Sequence, residues 1–515
     1  MILIHLPTAP PLFPPPGVHY LANYLLANGE SVEILDINIE LCHSQPEMWN
    51  KFDQFSHYEQ ADPLFRDFVQ KYASGITQWL QSKNETFVGV SCHDNNHDFF
   101  TWLARFLKEA MPTLTIIAGG PDVYERLSRY KGYLSEGMLD YLILKEGEKK
   151  ILALLRNQSP LPGGIISRDS LGEGLIQYQD ESQLDLQSES VPLTYLVHYP
   201  ALYQRFRMLP VFASRGCVSS CRFCSHKLLW DQYRSKTPEQ MAAELQEYIV
   251  KGTHVFYFVD MLINGSRTWL KEFVELVLAL SENIYWSSYA RVDGLFSDRA
   301  FVRAMVQAGC RFLSFGVESH SQAVLNAAGK GTTVEDNIQT IQNTSQEGLF
   351  LHVSFIVGLP YETLADLAQT MTFIYEQIWN MDHIEIFFFK NYEQSVGYEW
   401  SQDYLENHSH KDHYAYKREL HARYLSEFNR IGSHFLDVKY LFHPKGYVFK
   451  QVILEYYSLR LAEKNETDFW KEQTALHPVI SEMSDFCNLA KRLFTFKRQQ
   501  QSILKRVQEK INRHF

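Results

Sequence analysis

The sequence predicts an α/β protein with two parallel-sheet domains and a mostly helical C-terminal region. Strand-like and helix-like runs alternate over residues 1–160 and again over residues 205–392. Such alternation is typical of parallel strands that are joined by crossover helices. The first segment predicts a Rossmann-like open parallel sheet. The second contains six βα units of about 30 residues each, as expected for a partial (β/α)6 barrel of the TIM type.

The predicted first domain, residues 1–160, contains five strand-like runs with helical runs between them. The predicted strands are Ile2–Leu6, Ser31–Ile37, Phe87–Cys92, Leu114–Ala118 and Tyr141–Leu144. The predicted helices are Val18–Ala27, Phe65–Leu80, Phe99–Ala110 and Lys149–Arg156. Ligands of such sheets bind beyond the carboxyl ends of the strands. Glycines and short polar residues gather in the loops at those ends, which indicates a cofactor-binding crevice. No first turn has the G-x-G-x-x-G spacing of a dinucleotide site.

Residues 161–204 are polar and turn-rich, and they predict a linker with one extra strand at Gly164–Ser167. The second domain, residues 205–392, begins with an apolar strand before a cysteine-rich loop. Its later strands are predicted at His254–Asp260, Tyr285–Arg291, Phe312–Val317, His352–Val357 and Ile384–Phe389. Its helices are predicted at Pro238–Val250, Trp269–Leu280, Ala300–Ala308, Val334–Gln346 and Leu364–Trp379. The helical C-terminal region, residues 393–515, contains the runs His413–Ile431, Val448–Leu461 and Leu489–Ile511.

Three of the seven cysteines, Cys217, Cys221 and Cys224, share the loop after the first barrel strand. Their C-x3-C-x2-C spacing can wrap three thiolates around one face of a cubane iron–sulfur cluster. Such clusters are normally held by four thiolates, so three leave one iron open to a substrate or cofactor. The alternative is a structural zinc site in which His226 completes a Cys3His set. Zinc sites usually have two close pairs of ligands, and no second cysteine pair is present in the sequence.

Polar or small residues stand at the ends of four later barrel strands: Asp260, Arg291, Glu318 and Gly358. Carboxylates suit an ammonium group or a ribose, an arginine suits a carboxylate, and a glycine lets the backbone approach an adenine. S-adenosylmethionine (SAM) presents all of these groups. The alternative is that some of these residues are ordinary helix caps or salt-bridge partners.

Several stretches of the chain resemble the radical SAM enzymes, most closely the branch with an N-terminal cobalamin-binding-type domain. In the second domain the similar stretches are Ser214–Cys224, Tyr233–Glu239, Ala308–Ser319 and Phe355–Thr363. In the first domain they are Phe13–Ala22, Glu33–Asn38, Ala118–Pro121 and Glu146–Glu148. The resemblance covers about three quarters of the chain and leaves the C-terminal 120 residues or so without a counterpart.

The resemblance implies a [4Fe–4S] cluster on Cys217, Cys221 and Cys224, with the aromatic Phe223 as part of the same signature. It implies SAM binding by Phe223, Asp260, Arg291, Glu318 and Gly358. The residues that it implies for cobalamin binding are Pro16, Gly17, Asp36, Asn38, Ser91, His93, Asp94, Gly119, Gly120, Glu146 and Gly147. Many cobalamin domains offer a histidine to cobalt in an Asp-x-His-x-x-Gly motif. That motif is absent, because His93 and His97 flank Asp94–Asn96 with a different spacing.

The activity that the resemblance implies is radical chemistry, for which the cofactors supply the reactivity. An electron donor such as flavodoxin or ferredoxin reduces the cluster, and SAM is cleaved to methionine and a 5′-deoxyadenosyl radical that abstracts a substrate hydrogen. In this branch methylcobalamin commonly methylates the resulting substrate radical, so cobalamin-dependent methylation of an unactivated carbon is expected. The alternatives are a cobalamin-independent or rearranging radical enzyme that performs cyclisation, oxidation or peptide or natural-product modification, and a non-enzymatic iron–sulfur or zinc protein. If cobalamin is not bound, the first domain would serve substrate or partner docking.

The net charge of −11 argues against a general nucleic-acid binder. The absence of a long apolar run or a signal peptide indicates a cytoplasmic protein without a membrane span. Residues 491–515 carry eight Lys or Arg and one Glu, which predicts a solvated basic helix or a contact with a membrane surface. Aromatic residues of the C-terminal region are expected to form core or to line a substrate pocket. The substrate is expected to be a small molecule, a lipid or a peptide.

Overall fold

The structure, a computed structural model, describes residues 1–7, 13–171, 182–195, 208–226, 229–280, 282, 284–377, 380–381, 383–389 and 400. Over these ranges it contains two six-stranded sheets and one two-stranded ribbon. The strands of the first sheet lie between Ile2 and Ser167, and those of the second lie between Leu209 and Phe388. The predicted α/β fold class is therefore confirmed, while the helices predicted beyond residue 400 and the basic tail lie outside the described residues.

The first sheet has the strand order β2-β1-β3-β4-β5-β6. Its strands are β1 Ile2–His5, β2 Glu33–Asp36, β3 Phe87–Ser91, β4 Thr115–Gly119, β5 Tyr141–Ile143 and β6 Ile165–Ser167. The first five strands pair in parallel, and β6 pairs antiparallel with β5. The extra strand expected in the segment 161–204 thus forms an edge of the first sheet. The order 2-1-3-4-5 is that of a doubly wound fold whose ligands bind where β1 and β3 diverge.

The helices of the first domain cover both faces of this sheet. They are α1 Pro16–Ala27, α2 Ile37–Ser44, α3 Pro46–Trp49, α4 Pro63–Ser82, α5 His97–Ala110, α6 Pro121–Glu125, α7 Leu127–Ser135 and α8 Glu148–Leu155, with a 3-10 helix at Asn50–Gln60. The short elements α2, α3, α6, α7 and the 3-10 helix were not predicted from the sequence. They are held by packing rather than by periodicity, since Phe52 contacts Phe65 and Phe99 edge to face.

The second sheet has the order β14-β13-β12-β11-β10-β7, with all pairs parallel. Its strands are β7 Leu209–Val211, β10 Val255–Phe258, β11 Tyr285–Arg291, β12 Cys310–Glu318, β13 Phe350–Val357 and β14 His383–Phe388. Strands that follow one another in the chain are neighbours in this sheet, and within the described residues its edge strands β7 and β14 each pair on one side, as expected for the predicted partial barrel. Alternate side chains such as Leu313, Phe315 and Val317 are buried in the core, because successive residues of a strand point to opposite faces.

The helices of the second domain are α9 Pro238–Val250, α10 Arg267–Leu278, α11 Arg299–Gln307, α12 Gln322–Ala327, α13 Val334–Gln346 and α14 Leu364–Gln377. All but α12 were predicted. A further unpredicted element is the ribbon of β8 Ser214–Arg215 and β9 Arg234–Ser235, which encloses the cysteine loop. In the described part of the chain, no helix is both long and apolar enough to span a membrane.

Candidate active site

The cysteine loop lies between β8 and β9 at the carboxyl end of the barrel sheet. Gly216 begins it with φ +82°, and a side chain there would collide with the backbone of Gln232. Within the loop, the Ser219 amide donates to Cys217 Sγ at 3.4 Å, and the Arg222 amide donates to the Ala328 carbonyl at 2.9 Å. The loop is therefore anchored to the segment that follows β12.

The three cysteines are half-buried, and they are close enough to influence one another electrostatically. Burial raises the pKa of the Cys224 thiol to about 11, and it also raises the pKa of Cys221, where the positive charge of Lys330 opposes it. No three His, Cys, Asp or Glu side chains of the described residues converge as ligands of a single ion do. Three neighbouring thiols in one loop are the ligand set that a cluster with one open iron uses.

Lys330 and Glu318 form a buried ion pair beside this loop. Lys330 Nζ lies 3.1 Å from Glu318 Oε1 and 5.8 Å from the centre of the Phe223 ring. Glu318 ends β12 with φ +69°, a conformation that is costly for a residue other than glycine and is common at functional sites. The predicted residues Phe223 and Glu318 are thus brought together. Lys330 was not predicted, and the signal that could have revealed it is a lysine between the two glycines Gly329 and Gly331.

Arg291 binds the same segment from the neighbouring strand. Its Nη2 donates to the carbonyls of Lys330 and Gly331, the second at 3.2 Å, while its Nε is buried without a hydrogen bond. Arg291 also lines a cavity of about 410 Å³ together with Val218 and Asn264. It therefore orders the loop that carries Lys330 and keeps one donor unused.

Asp260 is 2% exposed and is bound from two sides. It accepts hydrogen bonds from the Ala213 amide and from the Ser214 hydroxyl. Burial raises the pKa of Asp260 to about 6, although these donors oppose the rise. Since its partners directly precede the cysteine loop, Asp260 positions that loop in the structure, and contact with SAM remains a prediction.

Gly358 follows β13 with φ +78°, and its amide donates to Glu362 Oε2 at 2.6 Å. The other carboxyl oxygen of Glu362 is buried without a hydrogen-bond partner. Burial raises the pKa of Glu362 to about 8, with the Gly358 amide opposing it. Glu362 had no role assigned from the sequence, and it holds the turn of the buried Gly358 at the carboxyl end of β13.

The carboxyl ends of four strands of the first sheet form one row. His5 pairs with Asp36 on one side and with Ser91 on the other, and Ser91 pairs with Gly119. Three of these residues were predicted from the sequence. His5 was not, although a histidine that ends an otherwise apolar strand is a recognisable signal.

The loop after β3 is held by its own side chains. The distance between His93 Nε2 and Ser91 Oγ is 3.2 Å, and Asp94 forms an ion pair with Arg126. Burial lowers the pKa of His93 to about 4, so its ring is neutral at pH 7. Gly120, at φ +106°, would place a side-chain carbon 2.6 Å from the Cys92 carbonyl, which only glycine avoids.

A cavity of about 1020 Å³ lies between this row and the barrel. Every residue that was predicted for cobalamin except Asp36 lines it: Pro16, Gly17, Asn38, Ser91, His93, Asp94, Gly119, Gly120, Glu146 and Gly147. The barrel contributes Ser214, Arg215, Gly216, Val259 and Phe387. Asp36 stands behind the wall and binds His5 instead. The volume of this cavity is at the upper end of the range for ligand pockets. Residues 214–216, which lead into the cysteine loop, form part of the cavity wall.

An ion-pair network joins the two domains at this wall. Arg215 donates to Glu146 Oε2 at 2.8 Å and to Glu148 Oε1 at 2.6 Å. Arg234 also binds Glu146, and the Arg215 guanidinium lies 4.8 Å from the centre of the Tyr20 ring. Although burial alone would raise the pKa of Glu146, Arg215 and Arg234 hold it below its usual value. The predicted residue Glu146 thus contacts the residue two positions before Cys217.

Comparison with known proteins gives a family for the second domain. The model of the radical SAM superfamily matches residues 211–374. The chain is 32% identical to an anaerobic magnesium-protoporphyrin IX monomethyl ester cyclase of Rubrivivax gelatinosus, over 34% of this chain and 31% of the cyclase. It is 25% identical to an uncharacterized methyltransferase of Pyrococcus horikoshii, over 58% of this chain and 66% of that protein. The chain therefore spans less than two thirds of the length of these curated relatives.

The fold of both domains is found in a solved structure. The radical SAM methyltransferase TsrM from Kitasatospora setae, with cobalamin and a [4Fe–4S] cluster bound, superposes with a TM-score of 0.59. The match covers 78% of this chain and 74% of TsrM at 14% identity, so the likeness is one of fold. The family match and the cysteine loop identify residues 211–374 as a radical SAM domain, and the two domains together have the fold of TsrM.

Proposed function

We propose that the chain is a cobalamin-dependent radical SAM enzyme that methylates an unactivated carbon. The observation that carries the proposal is the cavity of about 1020 Å³, because its wall is formed by the first sheet and by the residues that lead into the cysteine loop. A corrinoid in this cavity and a cluster on the loop would face a common space. A substrate carbon in that space could be reached from both.

The barrel residues fit a cluster and SAM. Cys217, Cys221 and Cys224 would hold three irons of a cluster, and its open iron would bind SAM. With one electron from a donor such as flavodoxin or ferredoxin, the cluster and SAM would supply radical chemistry that removes a hydrogen atom from the substrate. Lys330 is positioned to bind a carboxylate, since its ammonium is buried beside the loop and, among the described residues, Glu318 is its ion-pair partner. Arg291 holds the segment that carries Lys330, and Asp260 holds the residues just before the cysteine loop. Both segments would border the bound SAM.

The first domain fits a corrinoid. Gly17 has no atom within 4 Å of the position that a side chain would take, and Gly119 has only Ile143 nearby, so the edge of the sheet is open to a broad ring. The corrinoid would supply a methyl group to the substrate carbon and keep one electron of its cobalt–carbon bond. Glu146 and Arg215 join the two domains at the wall of this cavity.

A second candidate is a radical enzyme that cyclises or oxidises its substrate. It is favoured by the relative from Rubrivivax gelatinosus, whose name is that of a cyclase. The same cavity and cysteine loop would serve it, because the substrate radical forms in the same way. Only the fate of that radical differs between the two candidates.

The test is to purify the full chain without oxygen from cells supplied with iron, sulfide and cobalamin, and to measure iron, cobalt and zinc in one sample. About four irons and one cobalt per chain, with 5′-deoxyadenosine released from SAM, are expected. Four irons without cobalt would remove the methylation proposal and leave cobalamin-independent radical chemistry. Zinc without iron would overturn the proposed function. A small-molecule, lipid or peptide substrate and a cytoplasmic location are part of the proposal.

A further inference from the structure

We propose that the carboxylate of Glu385 binds a primary ammonium group of the substrate in the lumen, the space that the partial barrel encloses. This inference deepens the proposed function and rests on it, because it gives the substrate of the same site a chemical class. Glu385 is the third residue of β14 and is 9% exposed. A carboxylate in such a buried place is costly unless a cation or a hydrogen-bond donor meets it.

The side chain of Glu385 points into the lumen. Phe387, two residues further along β14, lines the large cavity and is 46% exposed. Because side chains two positions apart on a strand point to the same face, Glu385 lies on that face too, about 7 Å deeper along the strand. The residues that alternate with them, Ile384 and Ile386, belong to the apolar core on the opposite face.

His352 and Ser314 hold the carboxylate from behind. His352 Nε2 lies 3.0 Å from Glu385 Oε2, and Ser314 Oγ lies 2.6 Å from His352 Nδ1. Ser314 and His352 are both buried, so the orientation of the carboxylate is set by the fold. Among the described residues, none donates a hydrogen bond to the other oxygen, Oε1 of Glu385. That oxygen is available to a donor of the ligand.

Glu385 lies in the same row of the sheet as a residue of the candidate SAM site. Its register partner on β13 is Ser354, whose own register partner on β12 is Gly316. A side chain at Gly316 would collide with Glu318 Oε1 and come within 3.3 Å of Lys330 Nζ. Neighbouring strands lie about 4.8 Å apart, so Glu385 and Gly316 are about 10 Å apart. A substrate bound by Glu385 would therefore lie next to the ion pair of Lys330 and Glu318.

The charges of the lumen favour an ammonium group over a neutral donor. A carboxylate only accepts hydrogen bonds, and bonds to it from a charged donor are roughly twice as strong as neutral ones. Lys330 pairs with Glu318, and Arg291 binds backbone carbonyls. Among the described residues, the basic side chain within ion-pair distance of Glu385 is His352. We therefore expect a permanently charged partner of Glu385 to come from the ligand.

Apolar residues border the carboxylate on the side of the barrel mouth. Phe387 and its register partner Ile356 lie one row nearer to the mouth than Glu385. Ile356 packs against the same apolar cluster as Phe223, the residue before Cys224. An apolar or aromatic body could therefore pack on Phe387 while its ammonium group binds Glu385.

The probes for the test are 2-phenylethylamine and 2-phenylethanol, which share a ring and differ in the charged group. The full chain is reconstituted without oxygen with iron, sulfide and cobalamin, and each probe is titrated by saturation-transfer difference NMR. We expect the amine to bind about tenfold more tightly than the alcohol or better, because a hydrogen bond to a charged group is stronger than a neutral one. This comparison uses the wild-type chain, so it does not depend on the folding of a variant.

Three variants give the matched comparison. Glu385→Gln should weaken binding of the amine about tenfold and leave binding of the alcohol nearly unchanged. Phe387→Ala should weaken both probes alike, and Glu335→Gln, at an exposed position of α13, should change neither. The proposal is overturned by equal affinities of the wild-type chain for the two probes, by absence of amine binding, or by unchanged amine affinity in Glu385→Gln.

Iron, cobalt and release of 5′-deoxyadenosine from SAM are measured on the same preparation. A chain that holds cobalt and cleaves SAM but binds both probes equally would keep the proposed function and lose this inference. A chain that binds the amine through Glu385 but holds no cobalt would keep the ammonium site and lose the methylation proposal.

Discussion

Arg215 and Glu146, which are 69 residues apart in the sequence, form a buried ion pair across the boundary between the two domains. The side chain of Arg215 is 13% exposed and that of Glu146 is 3% exposed. Arg215 stands two residues before Cys217, and Glu146 stands in the loop after β5. The pair therefore couples the cysteine loop to the edge of the sheet that forms the cavity.

Arg215→Gln should destabilise the chain and disorder the cysteine loop, because removal of one partner leaves Glu146 and Glu148 as buried charges. Breaking a buried pair in this way costs about 3–5 kcal/mol. Thermal unfolding without oxygen should show a clearly lower midpoint, and reconstituted iron should fall. Arg303→Gln is the control, since Arg303 is more than half exposed and pairs with Glu347 inside the barrel domain. Equal midpoints for the two variants would contradict the coupling.

Replacing Cys217, Cys221 and Cys224 together with Ala should abolish the brown absorbance of a reconstituted cluster. The reason is that the other described cysteines, Cys42, Cys92 and Cys310, are buried outside this loop. Iron and absorbance are measured after reconstitution, with the buried Cys310→Ala as the control. Retention of four irons per chain in the triple variant would show that the ligands were assigned wrongly.

Glu318→Ala should weaken SAM binding while leaving the cluster intact. A hydrogen bond to a charged group contributes about 1.5–3 kcal/mol, so a loss of roughly tenfold or more is expected. Equilibrium dialysis with labelled SAM measures the affinity, and the absorbance of the cluster reports its integrity. Glu335→Ala changes an exposed glutamate of α13 and serves as the control. Unchanged affinity would return Glu318 to a structural role.

Glu362 should make the chain less stable as the pH rises. Its pKa is about 8 in the folded chain against an ordinary value of 4.5. The folded state therefore binds more protons than the unfolded state between these values, and stability falls with rising pH over that window. Glu362→Gln should remove this contribution. The thermal unfolding midpoint of the variant, measured as a difference from that of the wild type, should therefore rise between about pH 5 and pH 8. A constant difference across the window would contradict the raised pKa.

Gly120→Ala should destabilise the first domain more than Gly29→Ala does. Both glycines have positive φ, +106° and +86°, and a side chain in such a conformation costs about 1–3 kcal/mol. Only at Gly120 would the added carbon also meet backbone, the Cys92 carbonyl at 2.6 Å; nothing lies within 4 Å at Gly29. Thermal midpoints and cobalamin retention after gel filtration are compared. Equal losses would show that the close approach at Gly120 is relieved by the loop.

The sequence predicted the strands and helices whose apolar residues recur at a regular spacing. It missed the elements that form because of contacts with distant parts of the chain. Strands β10 to β14 and their long helices were recognised because buried strands and amphipathic helices leave a regular pattern of apolar residues. The 3-10 helix at Asn50–Gln60 and the ribbon of β8 and β9 have no such pattern. Their formation depends on partners such as Phe99 and Arg234, which the local sequence does not reveal.

Most of the candidate cavity could be read from the sequence, but its polar contacts could not. Parallel strands with crossover helices place all their carboxyl ends at one edge, so Gly17, Ser91 and Gly119 were correctly expected to lie together. The sequence did not indicate Lys330 or His5, because the role of each depends on the side chain that it contacts in the fold. Lys330 contacts Glu318, and His5 contacts Asp36. Asp36 was predicted to bind a ligand directly, whereas in the structure its carboxylate binds His5.

The sequence by itself determined the alternation of strands and helices, the α/β fold class and the loop that carries the three cysteines, because periodicity and motif spacing are local properties. Tertiary structure alone decided the pairing of Arg215 with Glu146, the burial of Lys330 against Glu318 and the hydrogen bond between His5 and Asp36. Each of these depends on the distance and direction between side chains from separate strands. Those quantities exist only once the two sheets have packed and burial has made each charge require a partner.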